Sequence, residues 1–245
     1  MKFLTARWEY LAMFNYEVDP IILKKHLPPF TELDLFKGKA IVSIVGFLFN
    51  NTKVFGIPWP GHINFEEVNL RFYIKRYDGK EWKRGVAFIS EIVPKPLVSQ
   101  MANLFYNEHY STAKMSSNIF IKDKMIHVFY EWQKKGGQMN SMLVKASTDL
   151  NEIEKGSEEE FIFEHYYGYN KLNEKCTVEY TLKHEKWKTF SINEFELTCD
   201  VNNLYGNEFA PFISNKKPHS VFLAKGSDVA VNFPAKIKNR FQRDK

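Results

Sequence analysis

The strand signal is clearest in the stretch Glu66-Glu67-Val68-Asn69-Leu70-Arg71-Phe72-Tyr73-Ile74-Lys75. Apolar and polar residues alternate along it, so that every second side chain of an extended chain faces the same way. One face carries the apolar residues Val68, Leu70, Phe72 and Ile74. The other face carries Glu67, Asn69, Arg71, Tyr73 and Lys75. The pattern predicts a β-strand with one apolar face and one face that can form hydrogen bonds.

The polar face of this strand has two interpretations. It is the solvated outer side of a half-exposed antiparallel strand, as is common in such sheets. Alternatively, the sheet curls and Glu67, Asn69 and Arg71 line a cavity. In that case Arg71 would hold a carboxylate in bidentate fashion, and Asn69 and Glu67 would orient it.

A second informative stretch is Gly85-Val86-Ala87-Phe88-Ile89-Ser90-Glu91-Ile92-Val93-Pro94-Lys95-Pro96. The apolar residues that follow it recur at helical spacing, which places Pro96 at the first helical position and Lys95 at the mouth of the helix. The positive end of the helix dipole disfavours an ammonium ion, and burial would act in the same direction. A neutral lysine is the form that Schiff-base chemistry needs. The alternative is an ordinary surface lysine in a solvated turn.

Aromatic residues are abundant, with 22 Phe, 12 Tyr and 5 Trp, and they fall mainly in short runs typical of strands. The fold class predicted is α+β, mostly β. Strands are predicted at 8–16, 31–36, 40–49, 66–75, 86–92, 119–122, 125–133, 141–148, 160–167, 177–183, 188–197, 220–224 and 228–233. Short helices are predicted at 20–25, 96–106 and 202–206. The Gly/Pro-rich connection 50–64 is long enough to carry function or to close a site.

The chain of 245 residues has no linker-like stretch, which predicts a single domain over 1–245. The absence of a long apolar run predicts a cytoplasmic protein without a membrane-spanning segment. The formal charge of +5 is modest, and the basic tail 236–245 reads as a solvated terminus, so no nucleic-acid partner is predicted. Cys176 and Cys199 lie in no Cys/His cluster and are expected to be core thiols.

Sequence motifs of several enzyme classes are missing. There is no GxGxxG, Walker loop, GxSxG elbow or HExxH, and no two of the seven histidines are spaced at i, i+2 or i, i+4. Dinucleotide binding, P-loop chemistry, serine hydrolysis and zinc proteolysis therefore have no support. We expect neither a cofactor nor a metal.

Several segments occur in an order that resembles a known family. They include Trp8-Glu9-Tyr10-Leu11-Ala12-Met13, Phe65-Glu66-Glu67-Val68-Asn69-Leu70-Arg71-Phe72-Tyr73, Arg84-Gly85-Val86 and Tyr106-Asn107-Glu108. On these the chain is similar to the YqjF-like family, which are conserved bacterial proteins with a domain of unknown function. That family in turn resembles the acetoacetate decarboxylase-like superfamily.

The resemblance implies a cone-shaped, largely antiparallel β-barrel with an enclosed cavity and a few short helices. It also implies that Lys95, after Pro94, is the Schiff-base nucleophile and that Glu91 is its catalytic neighbour. Two residues have to be skipped between Glu91 and Lys95 to align the lysine, and Pro96 stands where the decarboxylase has a second lysine. Assembly into a homo-oligomer is a further implication.

The resulting hypothesis is a barrel cavity that binds a small organic acid or keto compound, with decarboxylase-like lyase chemistry at Lys95. Two alternatives remain. One is a non-catalytic carrier of a lipophilic or aromatic ligand, which needs no reactive lysine. The other is a structural or partner-binding role for the polar strand face.

Overall fold

The computed structural model describes residues 2–238; the end of the basic tail, 239–245, lies outside the described residues. The strands are β1 (Lys2–Val18), β2 (Glu32–Leu33), β3 (Ala40–Val54), β4 (Phe65–Tyr77), β5 (Trp82–Val93), β6 (Tyr110–Thr112), β7 (Lys114–Lys122), β8 (Met125–Gln133), β9 (Asn140–Asn151), β10 (Tyr167–Asn173), β11 (Cys176–His184), β12 (Thr189–Thr198), β13 (Ser220–Asn232) and β14 (Ala235–Lys238). The α-helices are α1 (Pro20–Leu23), α2 (Pro96–Tyr106), α3 (Glu158–Phe163), α4 (Val201–Tyr205) and α5 (Ala210–Ile213). The predicted fold class, mostly β with a few short helices, is confirmed.

Seven strands close into a ring. Their order is β11-β10-β5-β4-β3-β1-β13, and β13 pairs back onto β11 through residues 229–231 and 182–184. All neighbours in the ring are antiparallel except β5 and β10, which are parallel. The ring agrees with the expected curled sheet, with one parallel pair in place of a wholly antiparallel barrel.

The outer side of the ring is covered by its own continuation. After β13 the sheet runs on through β12, β9, β8 and β7. The apolar residues of β4, including Leu70 and Phe72, belong to one core cluster with Trp132 of β8 and Met142 of β9. At Gly46 of β3 a side chain would overlap Met142, so a residue without a Cβ lets the layers meet there.

A second core cluster contains the other side of the ring strands. It contains Met13 of β1, Val45 of β3 and Tyr73 of β4, together with Phe161 and Phe163 of α3. Both sides of β3 are therefore buried, and both sides of β4 are buried as well. The interpretation of the polar face of β4 as a solvated surface is wrong.

The strand predicted at 160–167 is wrong, because α3 occupies its first half. Ser157 caps this helix by accepting a hydrogen bond from the Glu160 amide, and three glutamates fill its first turn. The apolar run Phe161-Ile162-Phe163 lies in this helix, and all three side chains are buried. The run therefore shows no alternation of the kind that marks a strand.

Other boundaries differ modestly. β3 continues to Val54, which shortens the predicted 50–64 connection. The strands predicted at 220–224 and 228–233 form a single strand, β13, that passes through Gly226 at a φ of +84°. Within the described part of the chain, no helix has the length and apolarity needed to cross a membrane.

Candidate functional site

A cavity of about 120 Å³ lies between α2 and the ends of several ring strands. Most of its wall is apolar and includes Phe3, Phe49, Trp59, Phe65, Val98 and Met101. Trp59 and His62 come from the predicted connecting loop, so that segment does contribute to a site. The polar wall includes Thr52, Glu108, Tyr110 and Tyr180.

Helix α2 supplies much of this wall because of how it begins and ends. Pro96 occupies its first turn with Lys95 as the N-cap residue, as the sequence predicts, and Leu97, Val98, Met101 and Ala102 then face the cavity. The helix ends at Asn107 in the left-handed conformation, φ 54°. The Asn107 side chain donates to the Lys171 carbonyl at 2.8 Å, which fixes the chain just before Glu108.

Three buried glutamates, Glu67 of β4, Glu91 of β5 and Glu108, form what we call the carboxyl cluster. They are 3%, 2% and 8% exposed. Tyr110 and Asn69 donate to Glu67 at 2.7 and 2.9 Å, and the Tyr180 hydroxyl donates to Glu108 at 2.7 Å. Asn69 and Glu91 are paired positions of β4 and β5, and this register brings them together.

Burial raises the pKa of all three carboxyls, because a charged group loses its hydration. The pKa of Glu67 rises to about 7, with the hydrogen bonds from Asn69 and Tyr110 acting against burial. Burial raises the pKa of Glu91 well above its usual value, and the adjacent negative charge of Glu108 adds to the effect. Both pKa values are therefore shifted toward the protonated form, and the two carboxyls titrate as a coupled pair.

Several polar atoms in this region have no hydrogen-bond partner among residues 2–238. They are Oε2 of Glu91, Oε2 of Glu108, Oδ1 of Asn69 and the hydroxyl of Thr52. Glu108 and Thr52 belong to the cavity wall, whereas Glu91 and Asn69 lie behind it. Buried polar atoms are nearly always paired in native proteins, so four lone ones in a single region are unusual.

The residues predicted from sequence separate into two groups. Glu67, Asn69 and Glu91 are brought together. Lys95 is half-buried at the start of α2 and is not among the described residues that line the cavity. Arg71 is buried farther along β4, where its guanidinium lies 3.7 Å from the Met13 sulfur and 5.6 Å from the centre of the Tyr73 ring.

Sequence reasoning missed the roles of Glu108 and Tyr180. Glu108 had a signal, the polar aromatic run Tyr106-Asn107-Glu108-His109-Tyr110 directly after a helix. Tyr180 had none, because its position depends on Gly168 of the neighbouring strand, where any Cβ would overlap the Tyr180 ring. Across residues 2–238, no three His, Cys, Asp or Glu side chains are arranged to hold a metal ion.

A second group of ionisable residues, which we call the salt-linked cluster, contains the buried Asp34 and His165 and the partly exposed Arg84. Arg84 donates to Asp34 at 2.6 Å, and the His165 Nε2 lies 3.2 Å from the same oxygen. Burial would raise the pKa of Asp34, but these two partners outweigh it and lower the pKa. Burial lowers the pKa of His165 to about 4, so its ring is neutral at pH 7. Asp34 also donates its amide hydrogen to the Tyr73 carbonyl of β4, at 3.0 Å.

Comparison with known proteins identifies similar sequences and folds. The model of DUF2071, a family described as uncharacterized conserved protein, matches residues 5–228. The uncharacterized protein YqjF of Bacillus subtilis is 32% identical over 111 residues. That match covers 45% of this chain and 44% of YqjF, so the chain aligns with less than half of that relative.

Three solved structures share the fold. Acetoacetate decarboxylase from Legionella pneumophila is 15% identical, with a TM-score of 0.62 over 96% of this chain and 88% of that protein. An acetoacetate decarboxylase-like enzyme from Sphingomonas wittichii is 11% identical, with a TM-score of 0.66 over 98% and 94%. The enduracididine biosynthesis enzyme MppR complexed with pyruvate is 12% identical, with a TM-score of 0.64 over 97% and 91%.

Proposed function

The chain belongs to the DUF2071 family of uncharacterized conserved proteins, and we propose that it binds a small, mostly apolar molecule whose polar group contacts Glu108. The composition of the cavity wall carries this proposal. Aromatic and aliphatic side chains form most of the wall, and Glu108, Tyr110 and Tyr180 meet in its polar part. Binding sites of this kind gain affinity from buried apolar surface and orientation from a few polar groups.

The volume of the cavity sets the size of the ligand. An apolar protein cavity of about 150 Å³ accommodates benzene, so about 120 Å³ suits a body of roughly six heavy atoms. A longer ligand would extend past Trp59, which is partly exposed at the rim.

The charge of the wall supports the carrier alternative over an organic acid. None of the described lining residues is Lys or Arg, whereas Glu108 is one of them. A bound carboxylate would meet a carboxyl group there without a cation to balance it. Arg71, the predicted carboxylate partner, lies against Met13 and Tyr73 instead.

The proposal is tested with benzyl alcohol and protein labelled with ¹³C at the methionine methyl groups. Met101 lines the cavity and is one of seven methionines, so its resonance reports occupancy. We expect benzyl alcohol to shift the Met101 signal in the unmodified protein and not in Val98→Trp, where an indole fills the cavity. The matched control is Leu104→Trp on the same helix, at a position that is 79% exposed.

Two results would overturn this proposal. One is a Met101 signal that does not move at millimolar benzyl alcohol. The other is equal binding by the unmodified protein and by a Val98→Trp variant whose thermal unfolding is cooperative, since the cavity would then not be the site.

The second candidate function is Schiff-base chemistry with a keto acid at Lys95. Two features favour it: the fold shared with acetoacetate decarboxylase and with the pyruvate complex of MppR, and the position of Lys95 two residues before Leu97, which lines the cavity. A shift of the lysine side chain toward the cavity would be needed, because Lys95 is not among the described residues of the wall.

Borohydride trapping tests this second candidate. The protein is incubated with acetoacetate or pyruvate, reduced and weighed by mass spectrometry. A Schiff base predicts a mass increase on the unmodified protein that disappears in Lys95→Arg, which keeps the charge but cannot form the imine. An equal increase in both proteins, or none in either, removes the lysine from the chemistry.

A further inference from the structure

Three of the four unpaired oxygen atoms near the cavity are carboxyl or amide oxygens, which accept hydrogen bonds. Oε2 of Glu108, Oε2 of Glu91 and Oδ1 of Asn69 receive no hydrogen bond from any described residue. The register of β4 with β5 pairs Asn69 with Glu91, and Glu108 lies within hydrogen-bonding reach of Glu91. Within the carboxyl cluster and Asn69, the unpaired atoms are therefore all acceptors.

Most of the donors close to the carboxyl cluster are already engaged, whereas the Thr52 hydroxyl of the cavity wall and Nε of Arg71 have no partner among the described residues. Tyr110 and Tyr180 each have one hydroxyl hydrogen, and they donate it to Glu67 and Glu108 at 2.7 Å in both cases. The Asn69 amide donates to Glu67. Of the three unpaired acceptors, only Oε2 of Glu108 belongs to a residue of the cavity wall, so it is the one to which a bound molecule can donate.

The charge and the rings of the site point the same way. The carboxyl cluster holds three acidic groups, and the described cavity wall contributes neither Lys nor Arg. Phe3, Phe49 and Trp59 surround the same space, and the faces of aromatic rings attract cations. A carboxylate or a phosphate would add further acceptors and like charge to Glu108.

We infer that the ligand class of this cavity is a primary amine on an apolar body of about six heavy atoms, held as an ammonium ion against Glu108. This inference rests on the proposed ligand-binding function. An ammonium group has three N–H donors, and one of them can meet Oε2 of Glu108, the unpaired acceptor that belongs to the cavity wall.

A divalent cation is the competing cationic ligand. Such an ion needs about six oxygen ligands in a regular shell. The described residues contain no set of three acidic or imidazole side chains in that arrangement, and the rest of the cavity wall is aromatic and aliphatic.

The test compares three ligands of similar shape by calorimetric titration at pH 7.5: benzylamine, benzyl alcohol and benzoate. We expect benzylamine to bind at least about tenfold more tightly than benzyl alcohol, since only the amine forms charge-assisted hydrogen bonds with the carboxyl cluster. Benzoate should give no detectable heat of binding.

Two variants locate the effect. Glu108→Gln should weaken benzylamine binding to the level of benzyl alcohol and leave benzyl alcohol almost unchanged. Glu66→Gln is the matched control on β4, because the Glu66 carboxylate accepts from Ser117 at 2.8 Å on the side away from Glu67. It should leave both affinities as they are.

The outcomes separate this inference from the proposed function. Equal or tighter binding of benzyl alcohol or benzoate relative to benzylamine would refute the amine while leaving the cavity as a binding site. Failure of all three ligands to bind would refute the proposed function itself. The comparison on the unmodified protein decides between amine and alcohol even if Glu108→Gln does not fold.

Discussion

The carboxyl cluster and the salt-linked cluster both lie against β4, but they differ in the hydrogen-bond partners of their buried acids. In the salt-linked cluster, Asp34 accepts from a guanidinium and from an imidazole on the same oxygen. In the carboxyl cluster two of the three acids accept from tyrosine or asparagine donors, and two of the cluster's oxygens have no donor among the described residues. One region has complementary partners and the other has an excess of like groups.

This difference separates stability from binding. When a buried acid accepts from two cationic or polar donors, these contacts offset the free energy that its desolvation costs. Loss of one member of the group leaves the others desolvated without a partner, which destabilises the fold. Like groups buried together oppose folding, and a ligand that supplies the missing hydrogens relieves that cost. We therefore expect the salt-linked cluster to stabilise the fold and the carboxyl cluster to bind a ligand.

Asp34→Ala should have the largest effect on stability. It leaves Arg84 and His165 without their shared acceptor, and we expect the free energy of unfolding to fall by about 3 kcal/mol. Urea denaturation measures this. The control is Glu17→Ala, which removes an exposed pair with Lys39 and should cost less than about 0.5 kcal/mol. Similar losses in the two variants would mean that the salt-linked cluster has no special structural weight.

His165 should make stability fall at acid pH. Its pKa is about 4 in the folded protein against 6.5 in the unfolded chain, so between these values the unfolded chain binds more protons. The stabilising effect is complete above pH 6.5 and is lost as the pH falls toward 4. We expect the difference in unfolding free energy between the unmodified protein and His165→Gln to grow by about 2 kcal/mol from pH 4 to pH 7. Parallel pH curves for the two proteins would contradict it.

Glu91→Gln should act in the opposite direction and stabilise the protein. The folded pKa of Glu91 lies above the usual 4.5, so stability is greatest below that pH and falls as the pH rises. Gln carries no proton to lose, and its amide can donate to Glu108. At pH 8 we expect an increase of about 1 kcal/mol in the unfolding free energy. The increase should shrink at pH 4.5, and a variant less stable than the unmodified protein at pH 8 would show that Glu91 contributes to folding.

Tyr180→Phe should have the smallest effect. It removes the hydroxyl that donates to Glu108, and one such bond contributes about 1 kcal/mol or less to stability. Because that bond lowers the pKa of Glu108, its loss should also weaken benzylamine binding by roughly threefold. Tyr166→Phe is the matched control, as its hydroxyl donates to Glu164 at 2.9 Å and neither residue lines the cavity among those described. Equal binding by both variants would count against a role for Tyr180.

The fold was readable from local pattern where the pattern had a physical cause in the segment itself. Alternation along β4 and the proline at the start of α2 gave correct elements, since both depend on neighbours in sequence. Alternation could not tell which face of β4 points inward, because that is decided by closure between β11 and β13. The aromatic run at 161–163 looked like a strand because its burial hides the helical period.

The site was only partly readable for the same reason. Glu67, Asn69 and Glu91 lie on two adjacent strands, so local reasoning could group them. Lys95 was selected by its place beside Pro94 and Pro96, but the direction of its side chain depends on packing. Glu108 and Tyr180 meet across 72 residues, through a contact that no segment of the chain encodes alone.

The hairpin of β10 and β11 is joined to the rest of the ring by two short strand pairings. β10 shares only two residue pairs with β5, and β11 shares three with β13, among the described residues. These two ladders are the shortest in the ring. The amide hydrogens of the hairpin should therefore exchange with solvent earlier than those of β1 and β3. Tyr180 belongs to β11 of this hairpin. Each outward movement of the hairpin would break the hydrogen bond from the Tyr180 hydroxyl to Glu108. Local opening of the hairpin would therefore raise the pKa of Glu108.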